Sequence, residues 1–219
     1  MSGKNKNRKL RAIILLLAVV TVAVVCTVSA VLIYGSCSGD GCVPTGNGNQ
    51  PTVKHIGDIP VPDYVTVDYI DPSRARTTDP LKKVNNIVIH YIGNAGTTAK
   101  QNRNYFDKPD TLVCAHFIVG LDGEILQCIP LNEQSAASNH RNVDTISVEV
   151  CHPDESGKFN DQTYSSLVKL TAWLCSNAGL DENDLIRHHD ITGKECPKYF
   201  VDFPEEWESF KNDVKQQIK

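Results

Sequence analysis

Asn86-Ile87-Val88-Ile89-His90-Tyr91 is a nearly continuous apolar run with β-branched residues and an imidazole near its end. A run of this kind predicts a strand covered on both faces. Its partners follow in the chain. Cys114–Val119 (CAHFIV) and Glu124–Ile129 (EILQCI) flank Gly120-Leu121-Asp122-Gly123, a strong hairpin signal. Thr145–Cys151 (TISVEVC) alternates and is β-branched, which places Ser147, Glu149 and Cys151 on one face. Helices come next. Tyr164, Leu167, Val168, Leu170, Thr171 and Leu174 recur at helical spacing after a cap at Asp161, and Gly179 is placed to stop that helix. Phe203-Pro204-Glu205-Glu206 opens a last amphipathic helix, with Pro and acids early. Strands covered by later helices give the α/β class, with a mixed central β-sheet flanked by helices.

The chain around this unit has 219 residues, room for one ordinary domain and some extra. Residues 1–11 carry five basic side chains and no acid, which leaves the remainder at a net −9. An acidic body without a basic face has no nucleic-acid footprint, so nucleic acid is excluded as a partner. Residues 12–34 are uncharged and mostly Val, Leu, Ile and Ala. A helix of that length spans a hydrocarbon core of about 30 Å. The basic flank on its N-terminal side predicts residues 1–11 as a cytoplasmic tail and 12–34 as a single-pass signal anchor. The body would then sit outside the cell membrane; a cleaved secretory signal is the alternative. Residues 35–62, rich in Gly, Ser, Asn, Thr and Pro, predict a flexible linker. The folded domain is expected over 63–219, as a single unit behind the transmembrane helix.

Three residues stand out by chemistry. His90 ends the apolar strand, His188 lies in Arg187-His188-His189-Asp190, and Cys196 follows in Lys194-Glu195-Cys196-Pro197. Spacing alone gives a weak metal signal, because this is neither a CxxC nor an HExxH pattern. Setting aside Cys26 and Cys196 leaves six cysteines, which allow 15 pairings or a reduced core. A loop closed by Cys37 and Cys42 suits an oxidising compartment.

The combination is more specific. The segments VIHYIGN, AHFIV, SVEVC and RHHDITGKECP together resemble the N-acetylmuramoyl-L-alanine amidase type 2 family, the zinc amidases that include phage T7 lysozyme and the peptidoglycan recognition proteins. The likeness extends over about residues 63–202, and RHHDITGKECP looks like the Bacillus and Clostridium branch of autolysins and prophage endolysins. The resemblance implies a zinc-dependent hydrolase of peptidoglycan that cuts the amide between N-acetylmuramic acid and L-alanine. It implies His90, His188 and Cys196 as zinc ligands, a three-donor set whose open fourth position marks a catalytic rather than a structural zinc. Glu149 matches the general base, able to move a proton from the attacking water to the leaving amine. Lys194 matches the cation near the scissile carbonyl. His189 is expected to be structural, and Asp190 to cap the following turn.

Two departures bear on mechanism and substrate. One branch of the family carries a catalytic Tyr where this chain has Ala115, which leaves Glu149 as the base. A Trp-His pair that helps hold the stem peptide in relatives is replaced by Ala136-Ala137-Ser138-Asn139-His140. His140, and His116 on the second strand, are the candidates for substrate contact in its place, with a satisfied structural role the equal alternative for His116. A non-catalytic peptidoglycan-binding module and a zinc amidase for another acyl-peptide are the competing functions. An intact ligand set with a thiolate disfavours the first.

Overall fold

The computed structural model describes residues 55–219. The predicted tail and transmembrane helix at 1–34, most of the linker, and Cys26, Cys37 and Cys42 lie outside them. No helix among the described residues is long and apolar enough to cross a membrane.

Six strands form one mixed sheet: β1 (Val65–Val67), β2 (Asn86–Ile89), β3 (Phe117–Val119), β4 (Ile125–Gln127), β5 (Thr145–Val150) and β6 (Leu185–Arg187). Their spatial order is β1-β4-β3-β5-β2-β6. All neighbours are parallel except the β3–β4 hairpin. That hairpin turns at Gly120–Gly123, where Gly123 takes a positive φ of 79° and its N–H meets the Gly120 carbonyl. The β2 run predicted from sequence is paired on both sides, with β5 on one and the edge strand β6 on the other. Short β1 and β6 were not expected. With three residues each, neither has room to show a two-residue alternation, and neither adjoins a Gly-marked turn like the one that announces the equally short β3 and β4.

Two apolar layers enclose the sheet. Ile87, Ile89, Ile146, Val148 and Val150 face one core, sealed by α2 (Asp161–Ala178) and α5 (Pro204–Gln217). Asn160, one residue before the predicted cap, receives the Thr163 N–H of α2, and Gly179 ends the helix at φ 68°. Leu167, Leu170 and Leu174 are fully buried there. Deleting one such side chain costs about 2–5 kcal/mol. The opposite face packs Ile118, Cys128, Ile129 and Cys151 against α1 (Ala99–Phe106). Strand alternation puts Ser147 and Glu149 of β5 on this second side, as expected from sequence.

The domain begins earlier than predicted. Ile56 is buried in the core and Val61 packs against it, so residues 55–62 belong to the folded body rather than to the linker. One buried Ile in a short segment broken by Gly, Asp and two prolines has no periodicity to announce it. Cys114, Cys128, Cys151, Cys175 and Cys196 are all free and buried, which is the reduced-core alternative for these five. Burial pushes the Cys128, Cys151 and Cys175 thiols up to about 12, so they are inert small hydrophobes rather than nucleophiles.

Candidate metal centre and cleft

Parallel pairing brings the chemistry to one end of the sheet. His90 follows β2 directly, Glu149 lies near the end of β5, and His188 follows β6 directly. The carboxyl ends of parallel strands are where open α/β sheets place their ligands. Cys196 arrives by a loop. After β6 the chain makes one short helix, α3 (His188–Thr192), stopped by Gly193 at φ 76°. It then returns, so that the His189 N–H meets the Cys196 carbonyl at 2.8 Å. The segment beyond Cys196 is pinned by α4 (Lys198–Asp202), whose Phe200 stacks on Phe210 and meets Phe159 edge-on. Arg187 ties the two ends of this loop, donating to the Phe200 carbonyl at 2.9 Å and pairing with Asp190 at 2.7 Å.

The three donors converge. His90 Nδ1 and His188 Nδ1 stand 3.2 Å apart, and Cys196 Sγ lies 4.0 Å from His90 Nδ1. All three donor atoms fall within 4.8 Å of one another, and all three residues are buried. Ligand atoms of a tetrahedral zinc stand about 3.3–3.6 Å apart, given bonds of about 2.0–2.3 Å. Burial, then the neighbouring His188 and Lys194 charges, hold His90 well below the usual imidazole range. Burial, then Lys194, lowers His188 as well. Both rings are therefore neutral at pH 7, each with one nitrogen able to offer a lone pair to a metal. Burial first, and the Glu149 charge second, push the Cys196 thiol up to about 12, so a cation entering here displaces one proton. Two imidazoles and a thiol around a shared point fit zinc in donor type and count, with the Cys196 sulfur set wider than tetrahedral spacing and needing to draw in to ligate.

Glu149 and Lys194 border the same cleft, a space of about 210 Å³. The Glu149 Oε2 atom is buried and has no hydrogen-bond partner. Burial pushes its carboxyl up to about 8, against the opposing pull of Lys194. A partnerless buried carboxyl is costly to keep, and such groups mark working sites. Lys194 is exposed at the rim. Tyr105 and Val113, each about half exposed, add apolar surface to the cleft. A larger space of about 640 Å³ lies elsewhere, beside Tyr64 and Trp173, and contains none of these groups.

The other predicted residues fall differently. His116 is fully buried, so the expected substrate contact is replaced by a structural role. Its Nδ1 accepts the Ser147 N–H at 3.0 Å and its Nε2 meets the Glu133 carbonyl at 2.9 Å. Burial lowers it to about 4, which keeps it neutral. His140 is exposed on the turn Asn139–Arg141 and does not line the cleft. His189 Nδ1 binds the Lys194 carbonyl at 3.0 Å, and Asp190 accepts the Arg187 N–H at 2.8 Å, so both shape the loop as expected. Ala115 is fully buried and offers the cleft no polar atom.

Sequence reasoning missed Ser138 and Asn139. The Asn139 Oδ1 atom lies 3.0 Å from His188 Nε2, and Ser138 Oγ lies 3.3 Å from His90 Nε2. The Ala137-Ser138-Asn139-His140 stretch has no local pattern that announces a contact with residues so far away in the chain.

Residues 80–199 match the family model described as N-acetylmuramoyl-L-alanine amidase. The chain is 32% identical over 159 residues to the N-acetylmuramoyl-L-alanine amidase BlyA of Bacillus subtilis (strain 168), covering 63% of this chain and 43% of that protein. It is 29% identical over 151 residues to the amidase CwlL of Bacillus licheniformis, covering 61% and 41%. The chain thus spans less than half the length of these curated relatives. The catalytic domain of XlyA superposes with a TM-score of 0.61 at 25% identity, covering 68% of this chain and 98% of that one. A mutant endolysin from Bacillus subtilis gives 0.61 at 26%, covering 68% and 97%. With more than half its length matched and the fold shared, this chain belongs to the N-acetylmuramoyl-L-alanine amidase family.

Proposed function

We propose that the chain is a zinc-dependent peptidoglycan hydrolase, cutting the amide between the lactyl group of N-acetylmuramic acid and the L-alanine of the stem peptide. The observation that carries this reading is the convergence of His90, His188 and Cys196 beside Glu149, whose Oε2 atom is buried with no partner, in one cleft. Zinc held by these donors supplies a Lewis acid for the scissile carbonyl and raises the acidity of water. Glu149 then acts as the base. A carboxyl near 8 in the metal-free protein is drawn down by any nearby positive charge, towards the working range of a general base. It accepts the proton of the attacking water and passes it to the departing amine. Lys194, at the rim, offsets negative charge growing on the carbonyl oxygen. Tyr105 and Val113 supply apolar wall for the substrate on the α1 side.

Residues 12–34 are proposed as the membrane anchor, with the hydrolase on the outer side. A linker shortened to residues 35–54 gives a typical reach of about 25 Å, at about 5–6 Å × √n. Cleavage would then be confined to wall close to the membrane. A thiolate ligand has no use in a purely binding module, which disfavours that alternative.

The test uses the full chain in non-denaturing detergent, wild type and Glu149→Ala, with zinc counted per chain. One zinc in both proteins, and release of peptides with N-terminal L-alanine from sacculi by wild type alone, is the expected result. Zinc without release on any wall type would favour a binding module or a different acyl-peptide. Absence of zinc from wild type would remove the proposal.

A further inference from the structure

Both imidazoles of the metal centre are held from behind by one turn. Ser138 Oγ meets His90 Nε2 at 3.3 Å and Asn139 Oδ1 meets His188 Nε2 at 3.0 Å, from consecutive residues. Ser138 is fully buried. Its hydroxyl continues to Ser147 Oγ at 2.8 Å, which Ser135 Oγ reaches at 3.2 Å. Ser147 is in turn fixed through its N–H by His116. Asn139 has φ 55°, a left-handed conformation that Asn tolerates better than most residues. That conformation explains why an Asn can stand here. It does not explain why the amide oxygen meets His188.

The two contacts differ in kind. An amide oxygen only accepts, so Asn139 requires the proton of His188 on Nε2 and leaves Nδ1 bare towards the centre. A hydroxyl both donates and accepts, so Ser138 permits either tautomer of His90. With His188 Nδ1 bare, the 3.2 Å contact is satisfied by a His90 proton on Nδ1, and Ser138 can then donate to His90 Nε2. A metal held by His90 Nδ1 would require that proton on Nε2, where Ser138 would accept it while its own hydroxyl donates to Ser147. The imidazole proton count is unchanged in this exchange.

We propose that Ser138 and Asn139 are positioning residues for the metal centre, Asn139 locking His188 in its ligating tautomer and Ser138 letting His90 exchange between two. This rests on the metal-site reading above. Partners behind ligating imidazoles typically change metal affinity by about 10–100-fold.

The test measures zinc affinity by chelator competition on the full chain, with the visible spectrum of the cobalt(II)-substituted protein as a second signal. Asn139→Gly keeps the left-handed backbone free of strain and removes only the acceptor; it is expected to weaken zinc by about 10–100-fold and to shift the cobalt bands. Asn139→Asp, which retains an acceptor oxygen, is expected to restore both. Ser138→Ala is expected to weaken zinc by about tenfold. Affinities and spectra of Asn139→Gly and Ser138→Ala equal to wild type would overturn the proposal while leaving the metal site intact. Failure of wild type to bind zinc would instead remove the underlying reading.

Discussion

Glu149→Gln should damage activity and improve stability in the same protein, with a sign set by pH. In the metal-free chain the carboxyl rises from an ordinary 4.5 to about 8, because Oε2 is buried with no partner. Between those values the native state holds a proton that the unfolded chain has lost, so stability falls as pH rises through that window. Each unit is worth about 1.4 kcal/mol, which sets a ceiling of about 5 kcal/mol fully expressed above pH 8. Relaxation and water entry reduce it, and about 2–3 kcal/mol is the working expectation. The assay is urea unfolding of the full chain in non-denaturing detergent, with chelator and reductant, at pH 5 and pH 9. Comparing the variant with wild type at each pH cancels packing differences between Glu and Gln. The variant should gain about 2–3 kcal/mol more at pH 9 than at pH 5, while hydrolysis by its zinc form falls by at least about 100-fold. An equal offset at both pH values would refute the claim that this carboxyl is buried without a partner.

Other outcomes follow from neighbouring groups. His116, lowered to about 4 by burial, contributes stability that is present above about pH 6.5 and lost as pH falls towards 4. That loss is about 3 kcal/mol at most, and the acid limb of an unfolding curve should flatten in His116→Gln. Zinc uptake at pH 8 by Glu149→Gln should release about one proton per chain, from the Cys196 thiol, since both imidazoles are already neutral. Calorimetry in buffers of different ionisation enthalpy measures it, and a count near zero would exclude Cys196 as a ligand. Lys194→Met should lower kcat/KM by about 10–100-fold with zinc retained, less than a buried donor would because the ammonium is exposed. Leu170→Ala, far from the cleft, should cost about 2–5 kcal/mol and leave the kcat of the folded fraction unchanged.

The two covering helices were legible because their period is repeated, the β2 run because it is continuously apolar, and the three-residue β3 and β4 because Gly120–Gly123 marks their turn. β1, β6 and the burial of Ile56 were not, since three residues or one carry no period. α1 was also missed. Its stretch Ala99–Phe106 is mostly polar, buries only Ala99, Asn102 and Phe106, and relies on a Thr98–Gln101 capping box. At the site, His90, His188 and Cys196 were suggested by residue type and by family resemblance. Their meeting depends on strand order β5-β2-β6, which no local pattern encodes. The same limit hid Ser138 and Asn139, which reach the imidazoles across 48 and 49 residues of chain. His116 shows the converse limit, since the structure takes the structural one of its two readings. A histidine on a strand beside the cleft gave no sign that backbone groups occupy both of its nitrogens.

The most direct test of the account follows the new chain ends produced from purified sacculi by metal-stripped full-length protein, before and after zinc is restored. The account predicts that free N-terminal L-alanine appears only with zinc, in step with a stoichiometry of one per chain, and that no reducing sugar ends form. L-Alanine release that is indifferent to zinc removal, or cleavage at any bond other than the lactyl amide, would contradict it.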